Sequence, residues 1–205
     1  MAIILQAQET AQAAAALRQG KLVVLPTDTV YGVAALAFDA AAVRQLYVVK
    51  QRPFSKAIPI LLADPTDLNK VVRAIPPLAQ ALIDTFWPGP LTLVLPKSHT
   101  LPDVLSPYDG VAVRIPDCDV ARAVIRQAGG AVAATSANLS GQPEALTADE
   151  AVAYLGNEVA VILDNGRSPG TIASTVVSCQ NETPIIVRTG PITADQINSL
   201  RMPTA

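Results

Sequence analysis

Histidine is nearly missing from this chain: one residue, His99, in 205. A lone histidine excludes a Ser-His-Asp type of nucleophile activation and any histidine-rich metal site. His99 sits in the turn-like stretch Lys97-Ser98-His99-Thr100, where a solvated loop position is expected. Cysteine is scarce too. Cys118 and Cys179 lack metal-ligand spacing and read as buried spectators of a reducing compartment. Aromatic residues make up 4% and charged residues 16%, with a net charge of -2. Stacking platforms and a global basic field are therefore both missing, which weighs against a dedicated nucleic-acid module. No apolar run reaches membrane length, and Met1-Ala2-Ile3-Ile4 turns polar at once. A cytoplasmic protein with no membrane contact is the expectation.

What is present is apolar residue, at 50% of the chain, enough to bury a core without disulfide staples. Strand and helix patterns alternate, which predicts an α/β or α+β fold with a mixed sheet, as one domain over 1–205. The alanine-rich stretch from Glu9 to Gln19 predicts a helix ended by Gly20. A second helix is expected from an N-cap at Asp39 to Lys50, with Val43, Leu46 and Tyr47 on its inner face. Further helices are predicted over Leu68–Val72, Leu78–Phe86 and from an Asp119 cap to Ala128. Thr147 and Thr193 each open a capping-box pattern. Strands are predicted at Leu22–Leu25, Ile58–Ala63, Leu91–Leu95, Val111–Ile115, Ala131–Ala134, Val159–Leu163, Thr175–Ser178 and Ile185–Val187. Trp87-Pro88-Gly89-Pro90 makes a rigid turn between helix and strand.

The polar residues concentrate at element ends, where α/β proteins hold ligands. Thr27-Asp28-Thr29 follows the first buried strand. It serves either to orient a polar substrate such as an amino acid or as a turn whose threonines bond backbone. Lys50, Arg52 and Lys56 place three cations within seven residues. They either complement a helix C-terminus or neutralise a polyphosphate. No GxxxxGK[ST] loop accompanies them. Arg114 is embedded in the apolar strand Val111–Ile115, on the face of Ala112. Buried there, it needs an anionic partner, from the protein or from a ligand carboxylate. Ser136 and Asn138 follow a strand of small residues that admits a ligand closely, or form a plain turn. The loop Asp164–Gly170 and the segment Arg188-Thr189-Gly190-Pro191 complete the polar set.

In this order the patches resemble the YrdC/Sua5 family of L-threonylcarbamoyladenylate synthases over almost the whole chain. The matching pieces are Pro26–Gly32, Lys50-Gln51-Arg52-Pro53, Trp87–Thr92, Ala112–Pro116, Thr135–Gly141, Ser174-Thr175-Val176 and Arg188–Pro191. The resemblance implies a twisted, open mixed sheet flanked by helices around a deep basic cavity. It implies that L-threonine, bicarbonate or CO2, and ATP with Mg2+ give threonylcarbamoyl-AMP and pyrophosphate. Partner proteins would pass the threonylcarbamoyl group to adenosine 37 of tRNA. On this resemblance Lys50, Arg52 and Ser136 are catalytic. Lys50, Arg52, Ser136, Asn138 and Arg188 contact ATP, while Thr27, Arg114 and Ser174 contact threonine. Many members carry Asn-Pro-Leu and a histidine after the KxRP segment. Here Ser55-Lys56-Ala57 stands there, which makes Lys56 an extra phosphate contact. No carboxylate cluster suggests a protein-held metal. The chain resembles the single-domain form of the family. An RNA-binding protein on the same fold is the alternative, with tRNA or RNA backbone in the basic cavity.

Overall fold

The computed structural model describes residues 1–170, 172–181 and 183–200. Its frame is one ten-stranded mixed sheet in the order β1-β8-β2-β3-β7-β4-β6-β5-β9-β10. The strands are β1 (Ile3–Gln6), β2 (Val23–Leu25), β3 (Gly32–Leu36), β4 (Ile60–Leu62), β5 (Leu91–Pro96), β6 (Gly110–Arg114), β7 (Ala131–Ser136), β8 (Val161–Asp164), β9 (Thr175–Ser178) and β10 (Ile185–Arg188). Around them lie α1 (Thr10–Arg18), α2 (Ala40–Val49), α3 (Leu68–Val71), α4 (Pro77–Phe86), α5 (Asp119–Gln127), α6 (Ala148–Leu155) and α7 (Ala194–Asn198).

Most predicted elements stand where the pattern puts them. Asp39 caps α2 by accepting from the Ala41 and Ala42 amides at 2.9 and 3.0 Å. Val43, Leu46 and Tyr47 are buried beneath it. Thr193 closes a full capping box with Gln196. Two caps differ. Cys118, not Asp119, takes the N-cap of α5, and Asp119 lies in the first turn, where its charge still suits the helix dipole. Thr147 accepts from the Glu150 amide, but the Glu150 carboxylate reaches past it to the Leu146 amide. Two strands were not expected. β1 is a short edge strand, and β3 is alanine-rich and starts on Gly32, so neither shows the usual strand signature.

Helix placement decides where a ligand has room. α2, α3, α4 and α6 pack on one face of the sheet with Val33, Ile60, Leu93 and Val113. α1 and α5 cover the other face, over Val23, Ala34, Leu61 and Val132. Register places Arg114 beside Leu61, and Leu61 beside Val132, so Arg114 belongs to that second face. The same face continues through Ala112, Val94 and Val176, which stay partly exposed. Among the described residues this half of the face carries no covering helix, which leaves it open to a ligand.

Candidate active site

The end of α2 forms the first wall. Gln51 takes a left-handed backbone, φ 50°. The Gln51 and Arg52 amides then return to the Val48 and Tyr47 carbonyls at 3.0 and 2.9 Å. This Schellman closure turns the chain sharply. It sends Lys50 inward, and only 2% of Lys50 remains exposed. Its ammonium donates to the Ser136 carbonyl at 2.5 Å, the Asn138 carbonyl at 2.5 Å and Asn138 Oδ1 at 2.8 Å. The polar segment at Lys50 and the one at Ser136–Asn138 are thus bonded directly to each other. The Ser136 hydroxyl donates to Asn138 Oδ1 at 2.6 Å, and Asn138 Nδ2 donates to the Gln142 carbonyl at 2.6 Å. Arg52 folds over the following turn, donating to the Lys56 and Ala57 carbonyls at 3.0 and 2.8 Å. The Lys56 side chain lies at the surface of that turn.

Arg114 forms the second wall. It is buried, and its Nη2 meets Asp28 Oδ1 at 2.5 Å. Nη1 donates to Thr29 Oγ1 at 2.9 Å and Nε to the Gly89 carbonyl at 2.8 Å. The open question of its partner is answered by a protein carboxylate. The Thr27 hydroxyl donates to the Val30 carbonyl at 2.7 Å and accepts from the Thr29 and Val30 amides. Its bonds are those of the capped turn, so a ligand contact there would replace one of them. Tyr31, fully buried, donates to the Gly166 carbonyl at 2.6 Å and accepts from the Asn165 amide at 3.1 Å. Burial pushes its phenol up to about 12. It locks the Asp164–Gly170 loop to the loop before β3.

Arg188 and Ser174 form the third wall. Arg188 donates to the Ser174 carbonyl through Nε and Nη2 at 3.0 and 2.8 Å, and to the Ser174 hydroxyl at 3.2 Å. That hydroxyl also bonds Thr92 Oγ1 at 2.7 Å. Asp28, Thr29 and Thr92 are the residues that sequence reasoning did not single out as partners. Their signal was weak, since each is a common turn or strand residue whose bond spans more than 80 positions.

The electrostatics join the walls. Burial, helped by the charge on Arg52, pulls the Lys50 ammonium down to about 8. Burial lowers Arg52 as well, with Arg188 adding to the effect. Arg188 is lowered by its own desolvation and by Arg114. Four cations therefore share one field, and each disfavours charge on a neighbour. Glu144 offsets this at Lys50 and Arg188, and Asp28 does so at Arg114. Such a cluster is built to receive an anion. A cleft of about 310 Å³ adjoins it, lined by Thr27, Asp28, Asp117, Cys118, Asn165 and Ser168 among others. It shares Thr27 and Asp28 with the walls but none of Lys50, Arg52, Ser136 or Arg188.

A Sua5/YciO/YrdC family model, described as "Telomere recombination", matches residues 15–190. The chain belongs to this family. It is 40% identical over 197 residues to the threonylcarbamoyl-AMP synthase of Bacillus subtilis, covering 94% of this chain and 56% of that protein. A putative threonylcarbamoyl-AMP synthase of Mycobacterium leprae is 40% identical over 193 residues, with 94% and 87% covered. The solved structure of Pyrococcus abyssi Sua5 complexed with L-threonine superposes with a TM-score of 0.93 at 35% identity, over 97% of this chain and 60% of that one. Escherichia coli YciO shares the fold, with a TM-score of 0.86 at 22% identity over 96% and 100%. The chain therefore spans little more than half the length of the Bacillus and Pyrococcus proteins but most of the mycobacterial one. The mixed sheet flanked by helices is as expected from sequence.

Proposed function

We propose that this chain is an L-threonylcarbamoyladenylate synthase. It joins L-threonine, bicarbonate or CO2, and ATP into threonylcarbamoyl-AMP, with release of pyrophosphate. The observation that carries the reading is the cluster of Lys50 and Arg114, buried, Arg52, half-buried, and Arg188, exposed on the edge strand, around an open sheet face in a chain of net charge -2. The names of its relatives and the threonine-bound Pyrococcus protein support the choice of substrates.

In this mechanism the threonine amine adds to CO2 and gives up a proton to form a carbamate. A carbamate oxygen then attacks the α-phosphorus of ATP in line, and the bond to pyrophosphate breaks. The protein supplies position and countercharge, with no covalent intermediate. Arg114 holds the threonine carboxylate, with Thr27 and Ser174 on the threonine side. Arg52, Arg188 and Lys50 face the phosphates, with Lys56 at the outer rim. Lys50 acts while bonded to Ser136 and Asn138, so it also fixes the loop whose groups orient phosphate and carbamate oxygens. Mg2+ enters as part of the MgATP substrate. Among the described residues no group of three or more His, Cys, Asp or Glu side chains forms a site for a resident metal. The product is then passed by separate proteins to adenosine 37 of tRNA, in the cytoplasm.

Pyrophosphate release tests the assignment. Arg52→Ala should lower the rate by about 10²-fold, the usual cost of one transition-state donor. L-Valine should turn over roughly tenfold or more below L-threonine, because a site that bonds a hydroxyl rejects the isostere without it. Equal rates for the two amino acids and an Arg52→Ala variant at wild-type speed would sink the reading.

A further inference from the structure

The proposed site leaves unexplained why Arg114, the group assigned to the amino-acid carboxylate, already carries a protein carboxylate. Asp28 and Arg114 form the most buried ion pair among the described residues, with side-chain exposures of 11% and 6%. Every other ion pair has at least one partner that is 23% exposed or more. A buried pair of this kind is weak evidence of stabilisation, because desolvation offsets its attraction. Its geometry suggests another purpose. Three different nitrogens of the guanidinium are each fixed by a different acceptor: Asp28 Oδ1, Thr29 Oγ1 and the Gly89 carbonyl. Three of the five N–H groups of an arginine are thereby taken, and the plane of the guanidinium is set. Two N–H groups remain for a ligand.

The acceptors are themselves braced. Thr29 Oγ1 lies 3.1 Å from Thr27 Oγ1, which is held by the turn. The Asp28 carbonyl accepts from the Gly170 amide at 3.1 Å, so the Asp164–Gly170 loop anchors the same segment. Gly89 is held by its amide on the Ile115 carbonyl at 2.9 Å. Two separate parts of the chain converge on one guanidinium, and the Asp164–Gly170 loop braces one of them.

We infer that Asp28 and Thr29 are positioning residues that orient Arg114 for the carboxylate of the amino-acid substrate. The inference rests on the proposed reading of Arg114 and adds to it residues that touch no substrate. An arginine fork recognises a carboxylate through paired, coplanar bonds, so its orientation decides affinity as much as its charge does. Asp28 stays on its nitrogen when the ligand arrives, and the ligand takes the remaining N–H groups.

Calorimetric titration tests this with two probes, L-threonine and L-threoninamide, which lacks the carboxylate. Asp28→Asn keeps the volume and loses the charge-assisted bond. It should bind L-threonine at least tenfold more weakly than wild type while binding L-threoninamide equally well. Thr29→Val should weaken L-threonine binding several-fold and Thr29→Ser should restore it. In turnover, KM for L-threonine should rise in Asp28→Asn with KM for ATP unchanged. If Asp28→Asn fails to fold, the Thr29→Val and Thr29→Ser pair decides. Wild-type affinity for L-threonine in the variants, or an equal loss for both probes, would overturn the inference. Absence of L-threonine binding by the wild type would overturn the functional reading, and the inference with it.

Discussion

At the scale of single residues, Lys50 shows how burial sets a working range. Its ammonium is held near 8 in the folded chain, against an ordinary value of 10.5. Between those values the unfolded chain keeps a proton that folded Lys50 has lost. The unfolded state binds more protons there, so the contribution of Lys50 to stability rises with pH across that window and is flat below it. Anion binding has the opposite dependence. A phosphate beside Lys50 favours the charged form, so affinity for ATP should fall as pH climbs through about 8. ATP titrations between about pH 7 and pH 9.5 should show this break in the wild type and not in Lys50→Met. A flat profile in the wild type would show that Lys50 does not meet the phosphates. Much at this scale was hidden in the sequence. Lys50 stood out as a cation at a helix end, Arg114 as one embedded in an apolar strand, and Ser136 and Asn138 as a polar pair after a strand. Their pairing did not stand out, nor did Asp28 and Thr29 as partners of Arg114, because each bond spans at least 85 positions and its acceptor is equally at home in an ordinary turn.

At the scale of elements, boundaries were most legible where a side chain bonds backbone. Asp39 and Thr193 fixed helix starts because their caps are local. β3 could not be read that way. Gly32-Val33-Ala34-Ala35-Leu36 has neither alternation nor β-branched density, and it is a strand because β2 and β7 flank it. The end of α2 is a local structure with a testable cost. Gln51 occupies a left-handed position that glycine adopts freely. Gln51→Gly should stabilise the chain by about 0.5–1 kcal/mol in urea unfolding, with turnover unchanged. A loss of stability would mean that the exposed glutamine has a role beyond the turn. Gly170 makes the converse case. A Cβ there would lie 2.7 Å from the Asp28 carbonyl oxygen and 2.7 Å from the Thr29 Cα, both backbone atoms. Gly170→Ala should therefore displace the segment that holds Arg114 and raise KM for L-threonine, with a smaller change in KM for ATP. Equal changes in both constants would count against that coupling.

At the scale of the whole molecule, the contrast is between a net charge of -2 and a local excess of cations. Composition gives no global basic field, and it could not show that four cations from the turn after α2, from β6 and from β10 converge. That convergence depends on strand order, in which β4 and β6 lie side by side although more than 45 residues separate them in sequence. It depends equally on helix placement, with α1 and α5 covering only half of the face that Arg114 shares. The family pattern, distributed over the chain, captured the outcome of this topology without the topology itself. The central claim is that the cation cluster exists to bring ATP and an amino-acid carbamate together. The most direct measurement is the analysis of products from ATP with L-threonine and bicarbonate, leaving out each in turn. The account predicts pyrophosphate and threonylcarbamoyl-AMP only when all three are present. Pyrophosphate release independent of L-threonine, or ATP left unconsumed by the complete mixture, would contradict it.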